Sequence, residues 1–264
     1  MKRGRVSQSG SAGVPKGSNA ARRKQAEHGL DHLTALRRLD IHFLETYLAY
    51  VAPGDRIEPK LRELILLAVN ASCTLLNPEG VREHVRNALV LGATAAELVA
   101  VLELSSVVGI HTLDLGIPML THAAGSTTGS VAPSERQRRL KDELVNSNRE
   151  TPWSPFWQAL LDLDPDLFAL TMGYLEAPWK SGALDPKVNE FIYIAIDSSS
   201  THLYGKGLQV HIDRAKRWGA TDGEIAEILR IVAGAGMTRT MALALPILAD
   251  ELNSLDDTSH EAGD

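Results

Sequence analysis

The sequence predicts an all-α protein built from two homologous helical units. Three observations carry that expectation. Aromatic residues make up only 5% of the chain while Ala and Leu are plentiful, a balance that favours helices over a β-sandwich or barrel. Apolar residues recur at spacings of three and four, the period of one helix face. Finally, residues 59–110 align without gaps onto 186–237, with seventeen of 52 positions identical. A period of 127 is far too long for a solenoid, so it reads as a duplicated domain.

The elements follow in chain order. Residues 1–25 carry seven Lys/Arg and no acid, are rich in Gly and Ser, and lack apolar periodicity. They read as a disordered basic tail. Unit one spans 33–122. Within it Leu61, Leu64, Ile65, Ala68 and Val69 mark a helix face, and Pro59 is a good first-turn residue. Val81, Val85, Ala88 and Leu89 mark the next helix, closed by Gly92, where a left-handed residue is wanted. Thr94 and Glu97 then make a capping box for a third helix. Residues 123–156 form a linker that opens on a Gly/Ser/Thr-rich loop and holds a short charged helix, Glu135 to Val145, capped by Ser134. Unit two spans 157–252 and repeats the pattern: Pro186, then Val188, Phe191, Ile192, Ala195 and Ile196, then Leu208, Ile212 and Ala215, then Gly219 and Thr221 with Glu224. Upstream, Leu39-Asp40 faces Leu163-Asp164. Residues 253–264 are an acidic tail.

Composition limits the function classes. A net charge of −6 argues against a general nucleic-acid partner. No apolar run of about 18 residues is free of charged or polar breaks, so no membrane span is expected. One cysteine, Cys73, supplies neither a disulfide nor a two-thiol site; in a helical stretch it reads as a small buried apolar residue. A soluble, cytoplasmic protein is the default expectation.

Once helix punctuation is set aside, a small polar set remains: Glu63 with His84, and Glu190 with His211. Each Glu opens an apolar helix and each His lies in the next, 21 residues on. A helix hairpin can bring such positions together, and a Glu–His pair can orient and move a proton. The same pair also suits a structural, satisfied histidine. Between these helices the copies differ. Unit two has His202 and Tyr204, plausible donors to a developing oxyanion, where unit one has Leu75 and Asn77. Unit one has His111 and Asp114 near its end, where unit two has Arg239. The expected sites are therefore unequal, the better one in unit two, unless His111 completes it as a composite site. His28 with His32, and His202 with His211, are spaced as candidate metal pairs. The first falls on a solvated segment, and no metal or cofactor is expected.

The pattern Pro-Lys-x-x-Glu, then His-x-x-x-Ala-x-x-x-Gly-Ala-Thr-x-x-Glu, present twice, resembles the carboxymuconolactone decarboxylase / alkylhydroperoxidase D-like superfamily. The resemblance implies that family's all-helical fold as a tandem pair. It also implies a homo-oligomer, most simply a trimer. The peroxidase branch needs Cys-x-x-Cys before the histidine; here those positions are Asn77 and Gly80, or Tyr204 and Gly207, which excludes thiol relay chemistry. The decarboxylase branch implies a cofactor-independent lyase acting on a small carboxylated lactone or ring-cleavage product. In that reading His211 would stabilise or protonate the enolate and Glu190 would orient the imidazole or relay its proton, with His84 and Glu63 as the matching pair. His111 and Arg239 are the expected substrate-binding residues. A non-catalytic oligomeric scaffold with a degraded site remains the alternative.

Overall fold

The computed structural model describes residues 32–123, 132–146 and 153–261, and among these every regular element is a helix. In order they are α1 (32–39), α2 (Ile41–Val51), α3 (Pro59–Ala71), α4 (Pro78–Val90) and α5 (Ala95–Ser106). A 3-10 turn at Val107–Ile110 leads into α6 (His111–Ala123), followed by α7 (Glu135–Val145), α8 (Pro155–Leu163), α9 (Pro165–Lys180), α10 (Pro186–Asp197), α11 (Gly205–Arg217) and α12 (Asp222–Glu261). The basic tail 1–25, His28 and most of the Gly/Ser/Thr loop lie outside the described residues.

The chain divides into two compact units. One is continuous, Pro53–Gly236; the other joins the described residues 32–52 to 237–261. In the continuous unit α3 and α10 are the innermost helices. Leu64 through Asn70 and Asn189 through Asp197 are all buried, so these helices are apolar on nearly every side, as interior helices are. Leu64, Ile65 and Leu67 on α3 and Phe191, Ile192, Ile194 and Ile196 on α10 are almost completely enclosed. Each such side chain contributes roughly 1.5–3 kcal/mol by leaving water. LILLAV and FIYIAI are thus buried helices, not strands. A second cluster gathers Leu140 and Leu144 of α7 with Trp157, Leu160 and Phe168 of α8 and α9. In the split unit, Leu36, Leu44 and Tyr47 form a smaller core with Met241 and Leu245, and Tyr47 hydrogen-bonds Thr238 at 2.8 Å.

The punctuation read from sequence operates locally. Thr94 and Glu97 form a reciprocal capping box, as do Ser134 and Gln137. Thr221 accepts from the Glu224 amide while Glu224 accepts from that of Thr221. Asp40 caps α2 and Asp164 caps α9. Gly92 and Gly219 take φ of 85° and 83°, a left-handed conformation open to glycine at little cost. The acidic C-terminus continues α12 as helix to Glu261.

Two stretches, Ala95–His122 and Asp222–Leu255, are long and apolar enough by composition to cross a bilayer. The same length and composition serve a core helix, and Leu98, Val101 and Leu104 of the first pack into the main cluster. The sequence criterion of an uninterrupted apolar run still fails in both, at Glu103 and His111 and at Arg230 and Arg239.

Candidate active site

Both Glu–His pairs form. Glu63 and Glu190, one turn after the opening prolines of α3 and α10, face the neighbouring helix of each hairpin. His84 Nδ1 lies 2.8 Å from Glu63 Oε2, and the Asn87 amide donates to the same oxygen at 3.1 Å. His211 Nδ1 lies 2.6 Å from Glu190 Oε2. With the carboxylates as acceptors, each imidazole carries its proton on Nδ1, an assignment that follows from the bonding. The pairs differ in depth. Glu63 is 14% exposed, whereas Glu190 is 1% exposed. Tyr193 stacks on His211 with centroids 4.4 Å apart, where the first copy has Leu66.

The loops between the hairpin helices share one backbone. Ser72 and Ser199 each accept amides from the third and fourth residues on, and the amides of Asn77 and Tyr204 return to the carbonyls of Asn70 and Asp197. Leu76 and Leu203 both adopt positive φ, 47° and 49°. A branched residue there costs on the order of 1–2 kcal/mol, so the surrounding hydrogen bonds hold the turn in place.

On this shared backbone the second copy assembles an aromatic and imidazole cluster. His202 Nε2 lies 2.7 Å from His111 Nδ1, their rings within 5° of parallel. Tyr204 stacks on His111 at 3.9 Å and donates its hydroxyl to Asp114 Oδ2 at 2.5 Å, where Lys206 also approaches at 3.4 Å. His111 and Asp114, at the start of α6, therefore meet residues some ninety positions later. Burial, and next the charge of His202, press the His111 imidazolium down to about 4. Burial also lowers His202. The Tyr204 phenol is pushed up by burial and by its bond to Asp114.

Sequence reasoning missed Asp197. It is 2% exposed at the C-terminal end of α10. Its carboxylate lies between two imidazoles, Oδ1 4.0 Å from His202 Nε2 and Oδ2 3.9 Å from His211 Nε2. Oδ2 has no hydrogen-bond partner among the described residues. Burial, and next the neighbouring Glu190, push its carboxyl up to about 8. A β-carbon on Gly207 would sit 2.2 Å from Oδ2, so only glycine lets α11 pass this close. A signal existed: the aligned residue of the first copy is Asn70, so a carboxyl replaces an amide just after the apolar run Phe191–Ile196. In that copy Asn77 donates to Asn70 Oδ1 at 2.7 Å and closes the equivalent place.

Arg239 is on the part of α12 that belongs to the split unit. A groove of about 730 Å³ opens beside the first copy, lined by Asn77, Val81, Arg82, Val85, Arg86 and Leu89 among others. Glu190 is sealed rather than lining a pocket, whereas His211 and His202 each keep 13% of the side chain exposed. Two readings are corrected. Cys73 is exposed, not a buried apolar residue, because it follows α3 in the turn rather than lying on its inner face. His32 is not on a solvated face: it is 6% exposed, its ring edge-on to Tyr47 at 6.1 Å.

Residues 165–250 match the carboxymuconolactone decarboxylase family. Among solved structures, one from Burkholderia xenovorans LB400, provisionally named a gamma-carboxymuconolactone decarboxylase subunit, is similar at 41% identity. The match covers 84% of this chain and 91% of that one, with a TM-score of 0.76. The chain belongs to the carboxymuconolactone decarboxylase family. No curated protein matches it. The segment matched to the carboxymuconolactone decarboxylase family contains Glu190, Asp197, His202, Tyr204, His211 and Arg239, while Glu63, His84 and His111 precede it.

Proposed function

We propose that the chain is a decarboxylase-like lyase acting on a small carboxylated lactone or ring-cleavage product, in the cytoplasm and as a homo-oligomer. Supporting this reading is the Glu190–His211 pair at 2.6 Å beside the His202, His111 and Asp197 cluster. Loss of CO2 leaves its electron pair on the substrate carbon, delocalised to an oxygen as an enolate. A proton must then be delivered to that carbon. His211, held by Glu190 through Nδ1, would deliver it from Nε2, and Glu190 would stabilise the imidazolium between turnovers. His202 would donate to the enolate oxygen. Every role in this scheme falls to a side chain of the protein.

The test is a panel of carboxylated lactones and ring-cleavage acids assayed for CO2 release. His211→Ala and Glu190→Gln should each lower turnover about 10²–10⁴-fold, the usual worth of a positioned proton donor, with circular dichroism unchanged. His84→Ala should cost little. Equal losses from His84→Ala and His211→Ala would refute the assignment to the second copy. A scaffold reading is favoured by one observation, the sealing of Glu190. It predicts no CO2 release across the panel.

A further inference from the structure

We propose that His111, His202 and Asp197 form a binding site for one divalent transition-metal ion of the Zn²⁺ or Co²⁺ kind. His111 Nδ1, His202 Nε2 and a carboxylate oxygen of Asp197 all lie within 4.8 Å of one another. The two imidazole nitrogens are 2.7 Å apart and Asp197 Oδ1 is 4.0 Å from His202 Nε2. An ion that takes nitrogen at about 2.0–2.1 Å and oxygen at about 2.0–2.2 Å in a tetrahedral arrangement sets its donors roughly 3.3–3.5 Å apart, so the two nitrogens must part slightly and the carboxylate oxygen move in. Small rotations of the side chains therefore close all three around one centre.

The second observation is the carboxylate itself. Asp197 is 2% exposed and its Oδ2 has no hydrogen-bond partner among the described residues. A buried carboxylate is costly unless a cation or a set of donors answers it. Lys206, in the first turn of α11, pairs with Asp114 instead. The surroundings also orient the donors. Tyr204 stacks on His111 and is itself tied to Asp114. At the edge of the site, His211 Nε2 lies 3.9 Å from Asp197 Oδ2 while Glu190 holds its Nδ1.

Donor chemistry narrows the ion. Two imidazoles and one carboxylate suit Zn²⁺, Co²⁺ or Fe²⁺, whereas Mg²⁺ and Ca²⁺ take oxygen ligands. The first copy is an internal contrast. There Asn70 and Leu75 stand at the positions of Asp197 and His202, and the Asn70–Asn77 hydrogen bond occupies the space. Metal binding goes beyond the lyase reading and is tested without substrate; with the ion bound, His202 Nε2 is a ligand and no longer the donor to the enolate oxygen.

The experiment uses the full, untagged chain after dialysis against chelator. Calorimetry with Zn²⁺ and the visible ligand-field spectrum with Co²⁺ should each give one equivalent per chain, with Mg²⁺ unable to compete. His202→Ala, and the near-isosteric Asp197→Asn, should each weaken binding at least about 10-fold, which is the low end of the effect of disturbing even a supporting residue. His122→Ala, on the exposed part of α6, should leave it unchanged. Absence of a stoichiometric Co²⁺ spectrum would overturn the proposal, as would binding that survives both His202→Ala and Asp197→Asn. Either result leaves CO2 release, and the lyase reading, to be judged separately.

Discussion

Replacing Gly80 by Ala tests how tightly the helix hairpin of the first copy is packed. A β-carbon there would sit 2.3 Å from Asn70 Oδ1 and 2.5 Å from Asn77 Nδ2. Asn70 cannot swing aside cheaply. It is 6% exposed, its amide nitrogen donates to the Leu66 carbonyl at 2.8 Å, and its oxygen accepts from Asn77 at 2.7 Å. Moving it leaves a buried polar atom unpaired, worth about 1–3 kcal/mol, and overpacking a filled site adds about 1–3 kcal/mol. Against these, exchanging Gly for Ala inside a helix returns about 1 kcal/mol. The net expectation is a loss of about 1–5 kcal/mol. With a urea slope of about 2 kcal/mol/M, the midpoint should fall by about 0.5–2.5 M. An unchanged or higher midpoint would show that Asn70 yields freely and refute the reasoning. Asn70→Ala should remove the obstacle, so that adding Gly80→Ala to it costs nothing or stabilises, a coupling of the kind expected for residues in contact.

Three further outcomes are expected. Glu63 is held below the usual carboxylate range: burial opposes this, but the hydrogen bond and charge of His84, with Asn87 and Arg62, outweigh it. Its contribution is then present above the ordinary carboxylate value and lost as pH falls through the lowered one, so Glu63→Gln should flatten the acid side of a plot of urea midpoint against pH; superimposable acid limbs would contradict this. Cys73 is exposed and should react with one equivalent of an aromatic disulfide reagent in the native protein, while Cys73→Ser retains any CO2-releasing activity; a thiol that reacts only after denaturation would count against its placement. Leu115, Met119 and Leu120 of α6 and Leu170 and Tyr174 of α9 are exposed apolar side chains, so light scattering should give a multiple of 28.6 kDa, a trimer most simply; a stable 28.6 kDa species at micromolar concentration would refute assembly.

Features governed by residues close in the chain were legible in the sequence. The capping boxes at Thr94 and Thr221, the N-cap at Ser134, the left-handed glycines at 92 and 219, and the limits of α7 follow from hydrogen bonds within one turn. The Glu63–His84 and Glu190–His211 pairs were legible for a related reason: they join adjacent helices of one hairpin, and the same spacing occurs twice. What the tertiary structure alone decided involves partners distant in sequence. His111 and His202 are 91 residues apart, and no local pattern specifies that their rings meet. His32 is buried and Cys73 exposed, because exposure depends on what packs over a residue rather than on its own chemistry. Asp197 is the clearest case. Its position at the end of an apolar helix is plain in the chain, but its upward pKa shift comes from being enclosed beside Glu190 and between His202 and His211, a desolvation that exists only once the helices have packed.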